Sequence, residues 1–225
     1  MIRSLYTLAA SLSGFFLSPI CVTCGKKIDD SAKYICRTCR DSLLKSGLKK
    51  IVQPDKVGAA VFYYLYSYEA CDGIDLGCAL RTLKYYGHWK IAHELAALIY
   101  AAGMRKGVFQ KIDFITSIPL HPAKLRERGF NQSQLIASRL AVLTGLPYVN
   151  LLRRKRNTAQ QAELSAPARE LNVKDAFALL KPVNLSDKRI ILLDDQITTG
   201  ETLDNAGKIL IAADAAAVLG LSLTH

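Results

Sequence analysis

From about residue 105 onward the chain alternates short apolar runs with amphipathic stretches. Ile112–Ile118, Tyr148–Leu152, Ala176–Leu180, Ile190–Leu193 and Ala215–Leu223 read as strands. Between them, Leu135, Ile136, Leu140 and Leu143 form one helical stripe within Asn131–Leu143, and Thr202–Ala213 reads as a second helix. Earlier in the chain, residues 74–86 and 89–104 predict two helices broken at Gly87. Leu76, Leu80 and Leu83 recur at helical spacing, as do Ile91, Leu95 and Leu98. The aromatic-rich stretch Ala59–Tyr68 reads as a strand. Alternating strands and helices predict an α/β fold with a parallel sheet flanked by helices. The unbroken run Ile190–Leu193 suits a strand buried on both faces.

The polar stretches read as connections. Residues 41–56 are a basic connector with Gly47 and Pro54, the segment from Pro119 to Gly129 a polar loop, and Arg153–Ala168 an irregular loop able to close over a ligand. At the N-terminus, Ser4–Ile20 carries no charge, but Thr7, Ser11, Ser13, Gly14 and Ser18 interrupt it. Those interruptions, and the lack of a small-x-small site before Cys21, argue against a signal peptide, and no stretch of the chain reaches the apolar length needed to span a bilayer. A hydrophobic helix over residues 1–20 packed on the body is expected, with peripheral contact to the inner face of the membrane as the competing expectation.

Half of the 225 residues are hydrophobic, enough for a full core, which excludes global disorder. The formal charge is +11 and unevenly placed. Between His121 and Arg156, eight Lys/Arg face one acid, Glu127, so most of the excess lies there. Such a concentration points to a polyanionic partner.

Two Cys-x-x-Cys pairs, Cys21/Cys24 and Cys36/Cys39, are separated by eleven residues. Four thiolates at this spacing are a structural zinc signature. Lys26, Lys27, Lys33, Arg37 and Arg40 would offset the charge of a Zn–Cys₄ centre. A closed site of this kind is architectural, not catalytic. Cys71 and Cys78 have no assigned function.

The densest chemistry follows Ile190–Leu193. Asp194 and Asp195 end the strand. Gln196, Ile197, Thr198, Thr199 and Gly200 form a short loop, and a helix begins near Thr202. Backbone N–H groups at a helix start suit a phosphate. The two acids, expected exposed at the strand end, suit ribose hydroxyls or a hydrated Mg²⁺. A second basic block, Pro119–Gln132, carries Lys124, Arg126 and Arg128. A third comprises Arg154-x-Arg156-x-Thr158-x-x-Gln161, then Arg169 and Asn172.

The Asp-Asp segment resembles the phosphoribosyl-pyrophosphate (PRPP) motif of type I phosphoribosyltransferases. With the Cys₄ module, Leu83-Lys84-Tyr85 and the basic blocks, nearly the whole chain resembles the competence-associated ComF family, including its ComFC and GntX-like members. Gln196 and Ile118 depart from the family pattern. The resemblance implies a zinc module over 1–50 and a phosphoribosyltransferase-like domain over 51–225. It implies that Asp194 and Asp195 hold ribose as the catalytic acids, and that Gln196–Gly200 with Thr202 holds the 5′-phosphate. Arg126, Arg128 and Lys84 would take the pyrophosphate, with Mg²⁺. It further implies a cytoplasmic part in DNA uptake during natural transformation, with single-stranded DNA and other competence proteins as partners. The basic run Arg153, Arg154, Lys155 and Arg156 is the expected DNA contact. Tyr63, Tyr64, Tyr66 and Tyr68 are a further candidate for stacking on bases, in competition with a half-core reading. The alternative function is an active phosphoribosyltransferase acting on an unidentified nucleobase or related acceptor.

Overall fold

A computed structural model describes residues 19–28, 33–53, 58, 61–66, 73–155 and 176–225. The N-terminal stretch 1–18, Tyr68, Cys71 and the segment from Arg156 through Asn172 lie outside the described residues. In chain order the elements are α1 (Arg37–Ser46), β1 (Lys49–Val52), β2 (Val61–Tyr66), α2 (Leu76–Tyr86), α3 (Lys90–Lys106), β3 (Phe114–Ser117), α4 (Pro122–Arg128), α5 (Gln132–Thr144), β4 (Leu152–Arg154), β5 (Phe177–Leu179), β6 (Arg189–Leu193), α6 (Glu201–Ile211) and β7 (Ala217–Thr224).

Five strands form one sheet in the order β1-β2-β7-β6-β3. Only the β1–β2 pair is antiparallel; β2–β7, β7–β6 and β6–β3 run parallel. The fold is therefore mixed α/β with a mostly parallel central sheet. Alternation along β6 shows why its run is apolar throughout. Ile190 and Leu192 pack with Phe114, Val218, Leu203 and Leu210 on the α6 side. Ile191 and Leu193 pack with Ile115, Leu221, Leu95 and Ile136 on the side of α3 and α5. Both faces are buried, as a parallel sheet requires.

Side-chain caps start two of the helices that frame the sheet. Asp75 accepts the Cys78 N–H at 3.0 Å before α2, and Asn131 accepts the Ser133 N–H at 3.1 Å before α5. Three connections differ from the sequence expectation. The segment read as a loop up to Gly129 contains helix α4. His121 caps it, Pro122 sits at its first turn and Gly129 ends it with φ 85°. No residue of α4 is buried, so no apolar stripe betrayed it. The expected strand Tyr148–Leu152 is a single parallel bridge from Tyr148 to Ile115. The paired strand, β4, runs over Leu152–Arg154 and joins β5 in a separate antiparallel ribbon. The basic connector is mostly regular, being the latter part of α1 followed by β1.

The cysteine-bearing segment is seated on the body. Ile35, Leu43 and Leu48 share one buried cluster with Leu95 and Ile99 of α3. Glu94 of α3 accepts the backbone N–H groups of Tyr34 at 2.6 Å and Ile35 at 3.2 Å, and its carboxylate lies 3.6 Å from Arg40. The Asp75 N–H donates to the Thr23 carbonyl at 2.9 Å. The division expected at residue 50 falls inside β1.

Candidate functional site

A cavity of about 370 Å³ opens at the carboxyl ends of β3 and β6, the edge where open α/β sheets bind ligands. Its floor is the acid pair. The Asp194 N–H donates to the Leu221 carbonyl at 2.9 Å, so the end of β6 is held by β7. The Ile197 N–H donates to the Thr224 carbonyl at 2.8 Å and fixes the start of the loop. Gly200 then caps α6 with φ 80°, a left-handed conformation that costs a residue with a Cβ about 1–2 kcal/mol. A Cβ there would also stand 2.9 Å from Gln53 Oε1 and 3.0 Å from the Phe62 ring. Gln196, Ile197, Thr198, Gly200 and Thr202 line the cavity. Thr199 does not; it is exposed, and its carbonyl accepts from the Gln53 amide at 3.5 Å.

The acids are buried, not exposed at the strand end as expected. Asp194 is 9% and Asp195 6% exposed. The start of α5 closes over them, placed there by the Asn131 amide, which donates to the Ile118 carbonyl at 2.9 Å. Ser133 donates to Asp194 at 3.1 Å and to Asp195 at 3.4 Å, and Gln132 donates to Asp195 at 3.3 Å. Lys84, on the last turn of α2, forms an ion pair with Asp195. The two carboxyls are thereby pushed apart. Burial, then repulsion by Asp195, raises Asp194 well above the ordinary carboxyl range. Burial would raise Asp195 too, but the Lys84 ammonium outweighs it and holds Asp195 below its ordinary value. Burial opposes the charge on Lys84, and the Asp195 carboxylate overcomes that and raises it.

Above the acids the lining is basic. Lys124 and Arg128 come from α4, and Arg154 from β4. Burial, then repulsion from Arg154 and Arg128, lowers Lys124. Arg154 is lowered by burial, partly countered by Asp194. Cations gathered against their own repulsion in a half-enclosed space favour a polyanion, which would relieve it. Arg128 also donates to Gln132 at 2.7 Å. Its guanidinium stands 5.7 Å from the centre of the Tyr85 ring at the cavity edge.

The structure thus gathers Asp194, Asp195, Gln196, Ile197, Thr198, Gly200, Thr202, Lys84 and Arg128 around one space. Arg126 is exposed on α4 and does not line it. Arg154, grouped in sequence with Arg153 and Lys155, lines the cavity while those two neighbours are exposed. Alternation along a strand sends Arg154 inward and Arg153 outward, which a charge run does not reveal. Arg156 lies outside the described residues. Sequence reasoning named Lys124 among the three cations of the Pro119–Gln132 block but gave it no ligand role, and it did not single out Ser133. The cap motif Asn131-x-Ser133 was the available signal, since a helix start beside a strand end brings its first turn to the site.

The second centre is the thiol cluster. The sulfur atoms of Cys21, Cys24, Cys36 and Cys39 all lie within 4.8 Å of one another, and all four thiols are free. Cys24 and Cys36 are 3.8 Å apart, close to the edge of about 3.8 Å that a tetrahedron with metal–sulfur bonds of about 2.3 Å would have. The backbone N–H of Cys36 donates to Cys21 Sγ at 3.3 Å and that of Cys39 to Cys36 Sγ at 3.5 Å. Burial opposes ionisation of Cys21, but the Cys36 N–H and Thr23 overcome it and bring Cys21 down to about 6. Cys39 and Cys24 are raised, chiefly by burial. A divalent cation would reverse that penalty, so the donor set fits a thiophilic metal.

Among known proteins, the chain is 32% identical over 140 residues to Competence protein F of Haemophilus influenzae, covering 60% of this chain and 61% of that protein. It is 35% identical over 147 residues to DNA utilization protein YhgH of Salmonella typhimurium, covering 64% of each. The chain thus matches somewhat less than two thirds of the length of these relatives. No family model matches. Among solved structures, adenine phosphoribosyltransferase from Saccharomyces cerevisiae superposes with a TM-score of 0.37 at 16% identity, covering 83% of this chain and 89% of that one. That TM-score lies below 0.5, and the fold class stands on the strand order and register. Among the described residues, no helix is long and apolar enough to cross a membrane.

Proposed function

We propose that this chain is a competence-type DNA-handling protein whose cavity binds PRPP with Mg²⁺, and that it meets incoming single-stranded DNA in the cytosol. The observation that carries the reading is the cavity itself, where a buried acid pair lies under Lys84, Lys124, Arg128 and Arg154. Asp194 and Asp195 offer acceptors for two vicinal hydroxyls. The N–H groups and hydroxyls of the loop opening α6 suit a terminal phosphate. Arg128, Lys124 and Arg154 suit a pyrophosphate. The relatives bearing the names Competence protein F and DNA utilization protein support the biological role. The four thiols would hold a structural Zn²⁺ in a module over residues 1–50, set against a phosphoribosyl-binding domain over 51–225. Other competence proteins and the inner face of the membrane are its proposed partners.

Calorimetric titration of the zinc-loaded protein with PRPP and Mg²⁺ tests the reading. Stoichiometric binding that is lost in Asp195→Asn supports it; absence of binding overturns it. Pyrophosphate release in the presence of nucleobases would move the assignment to an active phosphoribosyltransferase.

A further inference from the structure

Stacking by Tyr63 and Tyr64 of β2 is disfavoured by their surroundings. Tyr63 packs against the buried cluster, and Tyr64 stacks on His225 with ring centres 5.0 Å apart. Exposed aromatic surface lies elsewhere. Among the residues whose exposure is described, the large apolar side chains left open include three aromatic ones, and all fall within five positions. Tyr85 is 66%, Tyr86 75% and Trp89 53% exposed. They occupy the corner where α2 ends, Gly87 turns with φ 67°, and α3 begins at Lys90.

Trp89 precedes α3 without a side-chain cap and meets His93 edge-on at 5.3 Å. Burial, then Arg139, lowers the His93 pKa. Lys90 stands 6.0 Å from the centre of the Trp89 ring, and Arg128 faces Tyr85 on the other side. Tyr85 itself reaches the cavity wall, one residue beyond Lys84. The aromatic run therefore begins where the phosphate-oriented lining ends. Aromatic faces interleaved with Lys and Arg, continuous with a basic cavity, match a strand with an anionic backbone and unpaired bases.

We propose that Tyr85, Tyr86 and Trp89 form a stacking platform for the bases of single-stranded DNA, whose phosphates are taken by Lys90 and Arg128. The inference rests on the DNA-handling reading above and gives it a surface. It also makes the cavity and the DNA path neighbours, so a ligand in one is felt in the other.

The chain has a single tryptophan, so its intrinsic indole fluorescence reports on this corner. Full-length protein is titrated with a short oligothymidylate and with an abasic deoxyribose-phosphate strand of equal length. Indole emission is followed, together with the anisotropy of the labelled strands. The expected result is quenching by oligothymidylate and none by the abasic strand. Trp89→Ala and Tyr86→Ala should each weaken oligothymidylate binding about tenfold, leave abasic binding unchanged, and be largely rescued by Trp89→Phe and Tyr86→Phe. Anisotropy that shows DNA binding without quenching, and with unchanged affinity in both variants, overturns the platform and leaves the DNA-handling function standing. Binding of no strand at all overturns both. Variants that alter only self-association in sedimentation would make the corner a protein interface and overturn the platform as well.

Discussion

The thiol cluster and the acid-floored cavity are both compact groups of polar side chains, yet they are assembled in opposite ways. The four cysteines lie within nineteen consecutive positions, from Cys21 to Cys39, and a turn over residues 22–24 and the start of α1 bring them together. The cavity draws on α2, α4, α5, β4, the loop after β6 and the start of α6, spread from Lys84 to Leu203. The first needs local geometry and a cation. The second needs the whole sheet, because only the parallel order β7-β6-β3 puts the end of β6 beside the starts of α4 and α5. The two should therefore fail differently, one by losing the metal its thiols are proposed to hold and the other by losing an electrostatic balance.

The largest effect is expected at the cysteines. Cys24→Ser, or removal of metal by a strong chelator, should abolish stoichiometric zinc and produce the greatest fall in melting temperature of any single change considered. Structural zinc binding is worth about 10 kcal/mol or more, and Cys21 and Cys39 are buried in the same apolar cluster as Leu95 and Ile99 of α3. Metal analysis with thermal denaturation checks this. A zinc-free wild type of unchanged stability would erase the contrast.

Next comes the acid pair. Asp195→Asn leaves Lys84 largely buried without its counter-charge and should cost about 3 kcal/mol in urea unfolding at neutral pH. Asp194→Asn should cost little, because burial and its neighbour already oppose its charge. The pH dependence separates them. Asp195 is lowered in the fold, so its contribution is present above the ordinary Asp range and fades as pH falls through that lowered value. Asp194 is raised, so its contribution is present at low pH and is lost as pH rises through the raised value. Asp194→Asn should flatten the loss on the alkaline side, and Asp195→Asn the loss on the acid side. Equal costs for the two substitutions would show that the pair is not split in this way.

Smaller still is the difference between two arginines of the same basic region. Arg154→Ala should weaken pyrophosphate binding about tenfold, the scale of one charge-assisted contact, whereas Arg126→Ala should leave it nearly unchanged. Isothermal titration with pyrophosphate reads both. Gly200→Ala should cost about 1–2 kcal/mol in stability through its positive φ, with the crowding by Gln53 and Phe62 adding to it.

Much of the architecture could be read in advance where periodicity was strong. The helices α2, α3 and α5 and the strands β3, β6 and β7 fall within a few residues of their apolar patterns. The run Ile190–Leu193 announced burial on both faces because no position in it tolerates water. Helix α4 escaped because none of its residues is fully buried and so it has no apolar stripe, although His121, Pro122 and Gly129 mark its ends. Strand β4 escaped because it is three residues long and two of them are arginine.

By itself, the sequence determined the contacts that short-range spacing controls: four thiols in two Cys-x-x-Cys pairs, a glycine where the chain must turn left-handed, and an apolar strand ending in two acids. Only the tertiary structure decided that those acids are buried under Gln132 and Ser133, that Lys84 neutralises one of them, and that Arg154 points inward while Arg126 points to solvent. It also decided that exposed aromatic rings stand at the α2–α3 corner, while Tyr64 of β2 stacks on His225. The physical reason is range. Turn geometry and strand alternation act over a few residues and are written in order along the chain. Desolvation and Coulomb interaction depend on distance in space, which the packing of distant elements sets.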